Sequence, residues 1–195
     1  MLNPGEIYRK SLEIIYNSLG IDDSKENRIK ARAVHATGDL DVFKTIVFKN
    51  DPLNNGINAL RLNRFIVTDV NMVISGITRY NRKVCLINDD DVLLKSKMTG
   101  LSRSYLSIKK AASIYKDAIY VIGDAPTALM SLIEEVKKGL RPSLVIATPV
   151  GFVSALESKI DLLSCEIPLI TNISRKGGSP MAAALMNGII GELHA

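Results

Sequence analysis

Five short runs of β-branched and apolar residues constrain this chain more than any other feature: Phe65 to Thr68, Lys83 to Ile87, Ala118 to Ile122, Ser143 to Thr148 and Pro168 to Thr171. Runs this continuous read as strands buried on both faces. Between them the apolar spacing is helical. After Arg103 it falls at Tyr105, Ile108, Ala111, Ala112 and Tyr115, and after Pro126 at Ala128, Leu129, Leu132, Ile133 and Val136, one inward stripe each. Strand alternating with helix predicts an α/β fold, a parallel sheet wound by crossovers with helices on both faces. Residues 1–60 read as mainly helical, with Ile7, Leu12, Ile14, Ile15 and Leu19 ahead of Gly20 and a charged helix from Asp23. No repeat or linker divides the 195 residues, so 1–195 is expected to be a single domain.

Apolar residues make up 47% and charged residues 23%, which excludes a disordered chain. The longest uncharged stretches, Pro142 to Leu156 and Gly177 to Gly191, span 15 residues each and contain Pro or Gly, too short for a membrane helix. The chain starts without a basic segment leading into an apolar one, and Cys85 and Cys165 form no C-x-x-C; a cytoplasmic, reduced protein is expected. The net charge of +5 would suit nucleic acid, a membrane surface or a small polyanion. With no Trp and no zinc-finger or RNA-binding fingerprint, nucleic acid is not expected as a partner. The charge is local: residues 79–116 hold Arg79, Arg82, Lys83, Lys95, Lys97, Arg103, Lys109, Lys110 and Lys116 against Asp89, Asp90 and Asp91, a net +6 that leaves −1 for the rest.

Five loops leave the strands at 68–72, 87–91, 123–127, 148–152 and 171–179, each dense in small, hydroxyl or turn residues. In a wound parallel sheet these strand ends form the ligand crevice, and helices starting there offer free N–H groups to an anion. Gly, Pro and capping Asp or Thr also end strands for structural reasons, so Asp69 and Asp124 fit a capping role as well as a crevice role. Of two histidines, His194 is expected to be solvated, whereas His35 stands where a charged helix breaks at Thr37-Gly38, beside Asp39 as a cap of the next helix. Histidine is the side-chain type that exchanges protons near neutrality, which makes His35 the candidate acid or base, with a structural role as the alternative. No His, Cys or Glu lies at ligand spacing from it, so no protein-built metal site is expected. No nucleophile elbow or phosphate loop occurs, and Gly123 opens no dinucleotide fingerprint. Cys85 reads as strand core and Cys165 as a loop or helix-end thiol.

The order and spacing of six segments resemble the precorrin-8X methylmutase family, including its cobalt-precorrin-8 branch, over nearly the whole chain. They are His35-Ala36-Thr37-Gly38-Asp39, Thr68-Asp69-Val70-Asn71-Met72-Val73, Ser102-Arg103-Ser104, Gly123-Asp124-Ala125-Pro126-Thr127-Ala128-Leu129, Pro149-Val150-Gly151-Phe152-Val153 with Glu157-Ser158-Lys159, and Arg175-Lys176-Gly177-Gly178-Ser179. Asp124 departs from the Asn expected there and adds a negative charge.

The resemblance implies a three-layer α/β/α, flavodoxin-like fold with a five-stranded parallel sheet, working as a homodimer with its sites near the subunit interface. It implies an isomerase that moves a methyl group from C11 to C12 of precorrin-8X or cobalt-precorrin-8, giving hydrogenobyrinate or cobyrinate. No cofactor is required, and any cobalt is carried by the substrate. The counterpart of the family's catalytic histidine is His35. The substrate's acetate and propionate groups call for basic and hydroxyl side chains, for which Arg103, Ser104, Thr127, Arg175, Lys176 and Ser179 are the right types, with Asp69 and Gly123 in the crevice loops. The resemblance points to Arg103 above all. A non-catalytic tetrapyrrole carrier, or more remotely a nucleotide- or flavin-binding module, is the alternative reading.

Overall fold

A computed structural model describes residues 3–193, so His194 lies outside the described residues. Ten helices and six strands are described. In chain order they are α1 (Pro4–Leu19), α2 (Lys25–Thr37), α3 (Val42–Thr45), β1 (Ile46–Lys49), α4 (Pro52–Arg61), β2 (Ile66–Thr68), α5 (Asn71–Gly76) and β3 (Lys83–Val84). There follow α6 (Asp90–Thr99), α7 (Arg103–Ile114), β4 (Ile119–Ile122), α8 (Pro126–Lys137), β5 (Leu144–Ala147), α9 (Ala155–Leu163), β6 (Leu169–Asn172) and α10 (Ser179–Glu192).

The strands form one sheet in the order β1-β6-β5-β4-β2-β3. All neighbours are parallel except β1, which pairs antiparallel with β6, Ile46 opposite Asn172 and Lys49 opposite Leu169. The expected five-stranded sheet is therefore corrected to six strands, whereas residues 1–60 are mainly helical, as expected, with β1 as an unforeseen strand. Ile46–Lys49 is too short to show a period, and its partner lies more than a hundred residues away, so no local pattern marks it. The run from Lys83 to Ile87 is strand only at its first two residues. Cys85 is thus a half-buried residue beyond the strand rather than strand core, with its thiol pushed up by burial.

Side-chain alternation along the central strands divides the core in two. Ile119 and Val121 pack with Leu144, Ile146 and Ile170 against α4, α5 and α10, while Tyr120 and Ile122 pack with Val145, Ala147 and Leu169 against α7, α8 and α9. Helices thus cover both faces. On the first face α10 is apolar nearly all round, with Met181, Leu185 and Ile189 fully buried. Such a helix must be covered on its far side too. Helix α2 supplies the cover through Ile29 and Ala33, clamped by Arg28, whose guanidinium donates to both carboxylate oxygens of Glu192 at 2.9 and 3.0 Å. Helix α1 lies outermost, placing Ile15 against Ala31 and Val34 of α2.

Ile189 is fully buried, so Ile189→Ala is expected to lower stability by about 2–5 kcal/mol, against less than about 0.5 kcal/mol for Met98→Ser at an exposed position. Urea denaturation reads both, and equal midpoints for the two variants would contradict this placement of α10.

Candidate active site

His35 lies in the last turn of α2, which Gly38 ends in the left-handed conformation, its N–H donating to the carbonyl of Val34 at 2.8 Å. Two residues of α1, one turn apart, hold the imidazole. Ser11 Oγ is 2.7 Å from Nδ1, and the Tyr8 ring meets it edge-on, centroids 5.0 Å apart at 87°. The ring is exposed at the mouth of a groove of about 430 Å³ walled by Ile7, Ile14, Ile15, Val34 and Leu40. The imidazole is therefore oriented by its neighbours yet open to a ligand.

Tyr8 also walls a second cavity of about 430 Å³, with Arg32, Thr78, Arg79 and Asn187. The Arg32 guanidinium lies 5.7 Å from the Tyr8 ring centroid, and the Tyr8 hydroxyl is buried without a hydrogen-bond partner among the described residues. Two arginines and an unsatisfied hydroxyl make this cavity suited to a carboxylate. Sequence reasoning missed Tyr8, Ser11, Arg32 and Arg79. The local signals were the spacing of Tyr8 and Ser11 along one helix face and the place of Arg79 in the basic stretch 79–116.

The strand-end crevice is organised by Asp69 at the end of β2. Fully buried, its carboxylate accepts the N–H groups of Gly123, Asp124 and Ala125 at 3.0, 2.8 and 2.9 Å. Burial pushes its carboxyl up, and the three donors oppose that shift. Asp69 therefore shapes the loop after β4, with no oxygen facing solvent. Gly123 is a close-approach site, since a Cβ there would stand 2.6 Å from Val73 and 2.9 Å from the Ser179 backbone.

From this loop α8 starts, and its Thr127 Oγ1 is 2.8 Å from Oγ of Ser102, which caps α7 by accepting the Tyr105 N–H. Arg103, the first residue of α7, is exposed and reaches Asn88 Oδ1 at 3.5 Å; Ser104 beside it is half-buried. Arg103, Ser104 and Thr127 are thus one cluster at two helix N-termini, where anions are favoured.

The loop after β6 joins this edge of the sheet to the histidine corner. Ile173 N–H donates to the Thr45 carbonyl, and Lys176 Nζ binds Asp39 at 2.5 Å, four residues beyond His35. That pair holds the Asp39 carboxyl below its usual range and raises the Lys176 ammonium. Asp39 also accepts the Asp41 N–H at 3.0 Å, a turn role ahead of α3. Lys176 is therefore engaged as a tether, whereas Arg175 is exposed. Ser179 opens α10, buried, with its Oγ unpartnered among the described residues. The candidates fall into two groups, His35 with Tyr8 and Ser11, and the strand-end cluster, bridged by Lys176–Asp39. Around the second group Phe152 and Val153 are 87% and 82% exposed, an apolar edge left uncovered.

A larger cavity, about 680 Å³, lies at the opposite edge of the sheet between the last turns of α7 and α8. It holds no histidine or cysteine, and Arg141 there donates to the carbonyls of Val136 and Leu140. No cluster of His, Cys, Asp and Glu able to hold a metal occurs among the described residues, and no described helix is long and apolar enough to cross a membrane.

Removing the Asp69 carboxylate strands three donors, so Asp69→Ala is expected to cost about 2–4 kcal/mol of stability. Thermal unfolding checks this, and a variant melting with the parent would refute the role given to Asp69.

Comparison with known proteins gives the family to which this fold belongs. The sequence profile of the precorrin-8X methylmutase family matches residues 6–192. A cobalt-precorrin-8 methylmutase of Methanocaldococcus jannaschii is 42% identical over 187 residues, 95% of this chain and 89% of that protein. A precorrin-8X methylmutase of Pseudomonas aeruginosa is 35% identical over 198 residues, 95% of this chain and 94% of that one. The solved structure of a precorrin-8X methylmutase from Thermus thermophilus superposes with a TM-score of 0.87 at 29% identity, covering 96% of this chain and 97% of that one. The chain belongs to the precorrin-8X methylmutase family.

Proposed function

We propose that the protein is an isomerase of cobalamin biosynthesis, moving the methyl group from C11 to C12 of precorrin-8X or cobalt-precorrin-8. The observation that carries the reading is the imidazole of His35, oriented by Ser11 and Tyr8 at the mouth of an apolar groove. In this rearrangement the methyl carbon leaves C11 as it bonds to C12 within one molecule, so no methyl donor, nicotinamide or nucleotide is consumed. The protein's work is to hold the ring in a reactive geometry and to stabilise charge that shifts onto a ring nitrogen. In the tautomer where the Ser11 hydroxyl donates to Nδ1, the His35 proton is on Nε2 and is free to meet that nitrogen. The apolar groove suits the macrocycle face; Arg103 with Thr127, Arg175, and the Arg32–Arg79 cavity suit its carboxylates.

In this reading the five parallel strands act as a flavodoxin-like unit whose strand-end crevice binds the ring. The protein works in the cytoplasm as a homodimer, in which the exposed Phe152, Val153, Ile7 and Ile14 are covered and the two groups of site residues are completed across the interface. Cobalt, where present, is part of the substrate.

Purified protein supplied with either substrate form is expected to yield the corrin product, seen as a change in the visible spectrum without added cofactor. His35→Ala should lose roughly 10²–10⁴ in kcat while still binding the ring. Arg103→Ala should raise KM about 10–100-fold through lost charge-assisted hydrogen bonds. Binding without conversion by the parent protein would mark it instead as a carrier.

A further inference from the structure

Lys159, on α9, is fully buried, yet none of its hydrogen-bond partners is an acid. Its ammonium donates to Asn172 Oδ1 at 3.1 Å, to the Lys176 carbonyl at 3.1 Å and to the Ser174 carbonyl. Asn172 Nδ2 adds a bond to the same Lys176 carbonyl at 2.8 Å. All three ammonium protons are thus spent on the last residue of β6 and the loop that follows it. That loop is pinned from outside as well. The Gly178 N–H donates to the Thr148 carbonyl at 2.7 Å, the Gly151 N–H to the Arg175 carbonyl at 3.2 Å, and Lys176 binds Asp39. At Gly177, with φ of 155°, a Cβ would stand 2.2 Å from the Thr148 carbonyl oxygen, so the backbone path itself is tightly specified.

A neutral amide could have satisfied two of these carbonyls. An ammonium adds a third donor and a whole charge, and a buried charge matched only by carbonyl dipoles is costly to keep. Charged side chains nearby do not balance it. Glu157 and Asp161 on α9 are exposed, Lys49 at the far end of α9 pairs with Glu166, Lys176 pairs with Asp39, and Arg175 is itself a cation. An uncompensated positive charge therefore lies beneath the loop that carries Arg175, Lys176 and the start of α10, where a polycarboxylate would sit.

We propose that Lys159 is a positioning residue for substrate binding: it sets the 172–178 loop around its ammonium, and its unpaired charge is completed by the carboxylates of the bound ring. This rests on the function proposed above. Ligand carboxylates then favour the charged lysine, and its deprotonation weakens binding. Burial pushes the Lys159 ammonium down to about 8, while it raises the thiols of Cys85 and Cys165.

The linkage has opposite signs for stability and for binding. Unfolded lysine titrates near 10.4, so between about pH 8 and pH 10 the unfolded chain holds the extra proton, and this group's contribution to stability rises with pH. Substrate affinity is expected to fall over the same range. A lysine with a structural role alone would move the first quantity and leave the second unchanged.

The test is the pH profile of KM and kcat from pH 7 to 9.5 for the parent and for Lys159→Met, together with spectroscopic binding of a corrin polycarboxylate, cobyrinic acid. The parent KM and the dissociation constant are expected to climb about tenfold in total between pH 8 and 9.5, toward the level of a chain without this charge, with kcat little changed. Lys159→Met should show a KM about tenfold higher at pH 7 and no such climb. A flat parent profile, or a variant that keeps the parent's profile, overturns the proposal. If Lys159→Met does not fold, the parent's profile decides alone. Conversion with a flat profile removes only the role of Lys159, whereas neither conversion nor binding by the parent removes the function and this role together.

Discussion

The burial of α10 is the constraint on which the rest of the structure depends. Its apolar residues run all the way round, so it must lie between two apolar surfaces, the sheet on one side and α2 on the other. That requirement positions α2, and α2 carries His35 and Arg32. The approach is close because the residues are small where surfaces meet: Gly188 leaves room for Ile29 and for the stem of Arg32. At its other end α10 begins against Gly123, so the helix that seats the histidine-bearing layer also meets the loop after β4. Core packing and site geometry are here one problem, and a core variant in α10 would disturb His35 without touching it.

Two buried charges complete the strand-end edge in complementary ways. Asp69 is an anion that gathers three N–H groups of the 123–125 loop, and Lys159 is a cation that gathers the carbonyl side of the 172–176 loop. Loops at strand ends lack the repetitive bonding of helix and sheet, so each needs an internal partner if it is to hold one shape. A buried ion provides several bonds from one point. The cost of desolvation shows in both groups, a carboxyl pushed up and an ammonium pushed down. A preorganised rim is what a reaction helped mainly by orientation requires.

Much of this was legible in the sequence wherever the signal was local. The strand positions of β2, β4, β5 and β6 and the helices after Arg103 and Pro126 follow from period and punctuation alone, as does the Gly38 stop behind His35. Strand β1 was not legible, because four residues carry no period and its partner β6 is distant in the chain. Nor was the role of α10, for a helix buried on every side loses the polar stripe that betrays an amphipathic one. The site was half legible for the same reason. Residue types and motif order pointed to His35 and Arg103 as candidates, but that Tyr8 and Ser11 orient the imidazole, that Asp69 faces the backbone and that Lys176 spends its charge on Asp39 are facts of packing between elements.

The concentration of charge between residues 79 and 116 shows how folding turns composition into a site. Of its nine basic side chains, Lys110 is taken up by Asp89 and Asp91, Lys83 by the carbonyls of Ile74 and Ile77, Arg82 by the face of Phe65 and Lys109 by the ring of Tyr105. Lys116 lines the cavity at the opposite edge of the sheet. Lys95 lines a surface cavity with Asp91, and Lys97 lies in the last turn of α6; Arg79 and Arg103 differ from all of these in standing beside candidate site residues. Neither has a carboxylate within ion-pairing distance among the described residues; Arg79 opens into the cavity behind Tyr8, and Arg103 stands at the N-terminus of α7 beside Thr127. An arginine keeps its charge at any physiological pH and can grip a carboxylate through two parallel bonds, so these two side chains, one beside each group of candidate residues, are better suited to a polycarboxylate than the lysines around them. The excess that would have suited any polyanion thereby separates into two arginines at the candidate site and lysines engaged or exposed elsewhere. That arrangement favours a ligand whose acids are spread around a rim over one that presents a single phosphate.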